Sequence, residues 1–234
     1  MACFPSTALT GGDPTRQAAL AALRSLIAAS PGTAIGCDFP FGLPRSFVQA
    51  NSWVAFAEGF GARYSTAEGF RASCRARHGG RELKRATDVC ARVPFAGYNL
   101  RIYRQTYYGI RDVLAPLVVD ERVAVVPMMA PQPDKALVME VCPASALKRL
   151  ALYRSYKGRS TSHCEARAAV LDNLLAQPDL ALTNGTLRGV MIADPEGDAL
   201  DSFIAAAITF WAIQVPDRLI TGDAVALLEG RVFY

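Results

Sequence analysis

The feature that most constrains this chain is the run Thr33 to Asp38 (TAIGCD), a short apolar stretch bounded by turn formers. Such a run is the pattern of a strand covered on both faces, which calls for helices packed above and below a sheet. The stretch ahead of it predicts a helix over Pro14 to Ala29. Asp13 stands as its N-cap, Pro14 as its first residue, and Leu20, Leu23, Leu26 and Ile27 as one apolar stripe. Pro31-Gly32 stops that helix and turns the chain into the strand. A helix leading through a tight turn into a buried strand indicates α/β layering. With 234 residues, 51% hydrophobic and 20% charged, the chain is long and apolar enough for one large core, which excludes a disordered or fibrous class.

The strand closes on Asp38-Phe39-Pro40-Phe41-Gly42-Leu43-Pro44, where two prolines and a glycine forbid regular structure. Asp38 therefore stands at the C-terminal end of a strand, facing a stiff loop. From Arg45 to about Leu117 the patterns are helical, over Ser46 to Phe56, Ala67 to Arg77 and Leu100 to Leu114. Their apolar periodicity is weak, so residues 45–117 read as a helical insertion within one domain spanning 1–234. Strands return at Arg122 to Pro127 and Ala136 to Val141, joined by the proline-rich Met129 to Asp134. Helices follow over Ala144 to Leu152 and Ser162 to Ala176, then a short strand at Val190 to Ala193. A long helix begins after Asp194-Pro195 and reaches Ile213, and a hairpin closes the chain, Ala224 to Leu228 and Arg231 to Tyr234 turning at Glu229-Gly230.

The formal charge of +4 is mildly basic, a help to a phosphate-bearing partner but short of a nucleic-acid signature by itself. Cys3, Cys37, Cys74, Cys90, Cys142 and Cys164 form no CxxC pair, and only His78 and His163 are present to complete a zinc site. Without an export signal, unpaired thiols fit a cytoplasmic protein best. The longest apolar run, Phe203 to Val215, is too short for a bilayer and reads as a core helix.

Four acidic positions stand out. Asp38 sits where parallel α/β sheets place ligands, although aspartate there also commonly caps a turn. Glu140 interrupts the apolar LVMEVCP, and a carboxylate in a buried strand is costly unless paired or bound to a metal. Asp198 and Asp201 lie three apart, on one face of the late helix. A first-turn acid suits the helix dipole, which accounts for Asp198 better than for Asp201, ahead of the wholly apolar Phe203 to Ala207. Carboxylates converging from strand ends and a helix start suit Mg²⁺ or Mn²⁺, which prefer oxygen ligands. Arg85 with Asp88, Arg101, Arg104, and Lys157 with Arg159 are placed to meet a phosphate backbone, and Tyr98, Tyr103, Tyr107 and Tyr108 to stack on bases. No Walker A loop or GxGxxG is present.

IGCDFPFGLP, ELKRATD, RIYRQTYYGIRDVLAPL, MEVCPAS, DPEGDALDSFIAAAITFWA and ALLEGRVF, in that order, resemble the domain-of-unknown-function 429 family. The likeness runs over nearly the whole chain, from the Asp13 helix to Glu229. That family is regarded as a predicted nuclease with a ribonuclease H-like fold. The resemblance implies a mixed sheet flanked by helices, with TAIGCD as the fourth strand, Asp38 as a strand-end acid of the active site and Asp198 and Asp201 on the C-terminal acidic helix. Glu140 falls in the family's glutamate-valine-x-proline motif. Ribonuclease H-like domains open on a three-strand meander whose first strand carries an aspartate; here Asp13 is the sole acid ahead of the first helix, so the meander is expected to be incomplete. A missing central strand leaves an open edge beside TAIGCD, a liability for aggregation or an invitation to dimerise.

The expected function is thus a metal-dependent nuclease or phosphodiesterase. Asp38, Asp198 and Asp201 would hold Mg²⁺ or Mn²⁺, Glu140 would assist, and Arg85, Asp88, Arg104 and Lys157 would hold the substrate, nucleic acid. The alternative is a non-catalytic binding protein that keeps the fold.

Overall fold

The computed structural model describes residues 6–234; Cys3 lies outside them. In chain order come α1 (Ser6–Leu9), α2 (Arg16–Ala28), β1 (Ala34–Cys37), α3 (Trp53–Arg63), α4 (Ala67–Arg77), α5 (Ala86–Cys90) and α6 (Tyr103–Tyr108). A π-helical turn, Gly109–Leu114, joins α6 to α7 (Ala115–Val119); β2 (Val123–Val126), β3 (Ala136–Glu140), α8 (Pro143–Arg149) and α9 (Thr161–Leu175) follow, then α10 (Thr186–Ala193), α11 (Asp198–Ile213) and α12 (Ala224–Glu229).

Among the described residues the sheet has three strands in the order β1-β3-β2, all parallel. Successive side chains of a strand point to opposite faces, and that alternation divides the core. Ile35, Cys37, Val123, Val125, Ala136 and Val138 face the layer built from α2, α3, α4, α6, the π-turn and α7. Ala34, Leu137, Met139, Val126 and Val141 face α8, α9, α10 and α11. Both faces are covered, as the unbroken apolarity of the strands requires.

The helical region after β1 supplies one of these two layers, centred on aromatic rings. Phe60 packs on Phe56, Tyr64, Phe70 and Tyr107 with centroid separations of 5.6, 5.1, 5.4 and 5.8 Å. Such ring pairs each contribute about 0.5–1.5 kcal/mol beyond the area they bury. Tyr98, Tyr103 and Tyr107, read from sequence as base-stacking residues, are buried at 0–8% exposure; only Tyr108 of that set reaches a surface groove.

Several expectations are corrected. The sheet is not mixed, because the late segments expected to be strands are not. Val190 to Ala193 ends α10, where Leu187 and Met191, four apart, are buried and Val190 is 49% exposed, a helical period. Ala224 to Leu228 belongs to α12, capped by Asp223 on the Val225 N–H at 2.9 Å. Of the expected hairpin's second arm, Phe233 makes one parallel bridge to Val141. The Ser46 to Phe56 helix resolves into a 3₁₀ turn, Arg45–Phe47, and α3, whose N-cap Ser52 accepts the Ala55 N–H. Thr15, not Asp13, caps α2; Asp13 accepts the Thr15 N–H at 2.8 Å.

Candidate functional site

α11 lies directly on β1. Gly36 is required there, because a Cβ at that position would collide with Thr209 Oγ1 and stand 3.3 Å from the Ala205 carbonyl. Two residues beyond Gly36 along the strand, roughly 7 Å on, comes Asp38; four residues back from Ala205, about 6 Å along the helix, comes Asp201. Helix and strand thus carry these carboxylates to one end of the sheet.

Asp201 is 9% exposed, and both its oxygens have partners: Tyr156 Oη donates to Oδ1 at 2.5 Å and Lys157 Nζ lies 2.7 Å from Oδ2. Burial pushes its carboxyl up, against the opposing pull of Lys157 and Tyr156. Asp38 is exposed, yet the packing and the acidic neighbours around its carboxylate shift its titration. Burial, then the charge of Asp201, push its carboxyl up to about 7; Lys157 pulls against them, and Glu140 and Asp198 add to the rise. Asp198 stands in the first turn of α11 and is exposed. Asp38, Asp198, Asp201 and Lys157 thus group at one end of the sheet, three carboxylates with one ammonium among them, a cluster we term the Asp38 cleft.

Two residues that set this geometry were missed in the sequence. Asp194 serves the start of α11 from outside the helix, whose N-cap is Gly197: its carboxylate accepts the N–H of Ala199 at 2.9 Å and of Glu196 at 3.1 Å. This leaves Asp198 and Asp201 free of capping duty. Arg167 is 3% exposed and donates to the carbonyls of Tyr156 at 2.6 Å, Gly158 at 3.0 Å and Ile192 at 2.7 Å. It fixes the segment that presents Tyr156 and Lys157. The one available signal was an arginine flanked by Ala166 and Val170 on the apolar stripe of α9.

The other expected site residues are held elsewhere. Arg85 and Asp88 are each 1% exposed and Glu140 is 2% exposed. Arg85 donates to Glu140 Oε2 at 2.7 Å, to Glu140 Oε1, and to Asp88 Oδ1 at 2.6 and 3.0 Å. Glu140 Oε2 also accepts the Phe41 N–H at 2.9 Å. Burial pushes the Glu140 carboxyl up while Arg85 pulls it down. On the arginine, burial is outweighed by Glu140 and Asp88, which hold its charge above the ordinary value. Glu229, missed because it stood at an expected turn, completes the cluster by accepting the N–H groups of Arg45 at 2.7 Å and Ala86 at 2.8 Å. Arg85 and Asp88 therefore do not face a substrate, and the oxygens of Glu140 are already bonded. Together these side chains clasp the loop after Asp38 to α5, the end of β3 and α12. Arg104 pairs on the surface with Glu68 at 2.8 Å, while its neighbour Gln105 donates to the Asp38 carbonyl at 2.9 Å.

Among the described residues, no three His, Cys, Asp or Glu side chains form a ready-made metal cage, and no helix is long and apolar enough to cross a membrane. The described cysteines are unpaired. Burial pushes the Cys37 thiol up to about 12 and that of Cys142 to about 11, so neither is an activated nucleophile. No protein-family model, curated protein or solved structure matches the chain.

Proposed function

We propose that this chain is a metal-dependent phosphodiester hydrolase acting on nucleic acid, of ribonuclease H-like type and akin to the domain-of-unknown-function 429 family, with its active site in the Asp38 cleft. The observation that carries this reading is the crowding of Asp38 by Asp201 and Asp198 at the C-terminal end of a parallel sheet, with Lys157 alone to offset them. When all four are ionised, three carboxylates and one ammonium (−3 + 1) leave a charge of −2, the complement of a divalent cation. Every donor is an oxygen, which suits Mg²⁺ or Mn²⁺ over softer metals.

Asp38, Asp198 and Asp201 would hold the ion. When bound, it supplies a Lewis acid and a water of lowered pKa. Tyr156 and Lys157 fix the orientation of the Asp201 carboxylate, and Lys157, half-exposed, offers its remaining N–H groups to a phosphate oxygen. Without the ion the Asp38 carboxyl stands at about 7, so metal binding would displace its proton and should tighten as pH rises. The clasp of Arg85, Glu140, Asp88 and Glu229 holds the loop that begins at Asp38.

One observation favours the alternative, a non-catalytic binding protein: the ammonium of Lys157 already sits on Asp201. The two readings separate by calorimetric titration of Mg²⁺ and Mn²⁺ into wild type and Asp38→Asn, with circular dichroism confirming both folds. The hydrolase reading expects binding by wild type that weakens at least tenfold in Asp38→Asn. No binding by either protein removes it.

A further inference from the structure

Beside the cleft lies a basic groove of about 460 Å³ between α2 and the π-turn, lined by Arg16, Gln17, Arg24, Tyr108, Arg111 and Asp112 among others. Its construction starts from Pro116. A proline lacks an N–H and crowds the carbonyl four residues back, here Asp112, and the chain answers with a π-helical turn over Gly109–Leu114. The Asp112 carbonyl takes an N–H from Arg24 at 3.2 Å instead. Such turns are rare and recur at functional sites.

The arginines are unequally engaged. Arg111 is fully employed, with Nε and Nη2 on the Asp112 carboxylate and Nη1 on Tyr107 Oη at 3.0 Å. Arg24 has its one bond to Asp112. Arg16 has no hydrogen-bond partner among the described residues; its exposed guanidinium, at the start of α2, lies 4.4 Å over the half-buried Tyr108 ring, which Arg111 also approaches at 5.1 Å. With Asp112 neutralising Arg111, two positive charges are left facing the groove.

The groove and the cleft share walls. Gln105, which bonds the Asp38 carbonyl, is one turn of α6 before Tyr108. Gly109, next along, has no Cβ because the ring of Phe39, the residue after Asp38, occupies that space.

We infer that this groove binds single-stranded nucleic acid, Arg16 and Arg24 receiving a backbone phosphate and the Arg16–Tyr108 stack receiving an unpaired base. Guanidinium planes and aromatic faces stack on bases irrespective of sequence, and the groove has the volume of a nucleotide-sized site rather than the long basic face a duplex needs. The inference rests on the hydrolase reading for its direction, since the strand held here would run on into the Asp38 cleft.

The test is fluorescence anisotropy of a labelled oligo-dT and a labelled oligo-U, without divalent cations, on wild type, Arg16→Glu and Tyr108→Leu. Arg16 bears no structural bond, so Arg16→Glu is expected to fold as wild type by circular dichroism. It should bind at least tenfold more weakly with a salt slope smaller by about one, and Tyr108→Leu should weaken binding at least fivefold. Three results each overturn the inference: equal binding by Arg16→Glu and wild type, no binding of either strand by wild type, or equally tight binding of a duplex or of a mononucleotide. The outcome is separable from that of the cleft. Strand binding that needs Arg16 in a protein that binds no Mg²⁺ or Mn²⁺ sinks the hydrolase reading alone, and metal binding without strand binding sinks this one alone.

Discussion

Two charged clusters meet at the same end of the sheet, and they use the same residue types to opposite ends. Glu140 pairs with Cys37 across neighbouring strands, so Asp38 and Glu140 are nearly side by side. Yet Glu140 is sealed, its oxygens taken by Arg85 and the Phe41 N–H, whereas the Asp38 carboxylate has no hydrogen bond among the described residues and only its backbone carbonyl accepts one, from Gln105. In the clasp, every buried charge has a partner with matching geometry, and the result is rigidity. In the cleft the carboxylates outnumber the cations, and the result is a site that a positive ligand relieves. Partner saturation, more than residue type, separates Glu140, sealed by Arg85 and the Phe41 N–H, from Asp38, whose carboxylate has no hydrogen bond among the described residues; Asp201, bonded to Tyr156 and to the half-exposed Lys157, stands between them.

The largest effect that tests this contrast is on stability. Arg85→Met leaves Glu140 and Asp88 buried without a cation, and breaking a buried pair in this way costs about 3–5 kcal/mol. Urea unfolding should show that loss in Arg85→Met, and a smaller one in Arg85→Met/Glu140→Gln, because the second change removes the stranded charge. A loss below about 1 kcal/mol in the single variant would mean the clasp is not structural. Arg167→Ala comes next. It leaves carbonyls of Tyr156, Gly158 and Ile192 without their donor, at about 1–3 kcal/mol for a buried group left unsatisfied, and should also weaken Mn²⁺ binding by displacing Tyr156 and Lys157. Asp201→Asn reverses the pattern: about 1 kcal/mol or less in unfolding, since Lys157 is half in solvent, but, on the hydrolase proposal, at least a hundredfold loss of any Mn²⁺-dependent cleavage of a labelled oligonucleotide that wild type shows. If its stability falls as far as that of Arg85→Met, the two clusters do not differ in kind.

The sequence carried the cleft better than the clasp. Asp38 was legible because an apolar strand runs into a proline-bound loop, and Asp201 because an acid precedes a wholly apolar helical stretch; both signals are local. The Arg85 contact is not. Arg85 and Asp88 at i, i+3 read as surface groups placed to hold a substrate phosphate, and only the approach of Glu140, 55 residues away, and of Glu229 buries them. The strands expected at Val190 and Ala224 failed because runs of four to six apolar residues fit a buried strand and a short helix equally well. The helix expected over Leu100 to Leu114 runs on past Pro116 to Val119 through a π-turn, and nothing local told that Arg24, 88 residues distant, would serve the Asp112 carbonyl there.

The smallest predicted effect is also the sharpest test of crowding in the cleft. The Asp38 carboxyl stands at about 7 in the folded chain against an ordinary value of 3.8, so the folded state holds this proton more tightly than the unfolded one. The stabilisation from that proton is complete below pH 4 and is lost as pH rises through about 7. Asparagine, neutral at every pH and nearly the same shape, escapes the loss. Without divalent cations, Asp38→Asn and wild type should therefore melt together at pH 4, and at pH 8 the variant should melt about 2 °C higher, a modest gain because solvent on the open side of Asp38 screens its neighbours. Saturating Mg²⁺ at pH 8 should reverse the order, since only wild type keeps the full donor set and ligand binding stabilises the form that binds. Equal melting at both pH values would mean that Asp201 and Asp198 do not burden Asp38, and the contrast between cleft and clasp would lose its electrostatic basis.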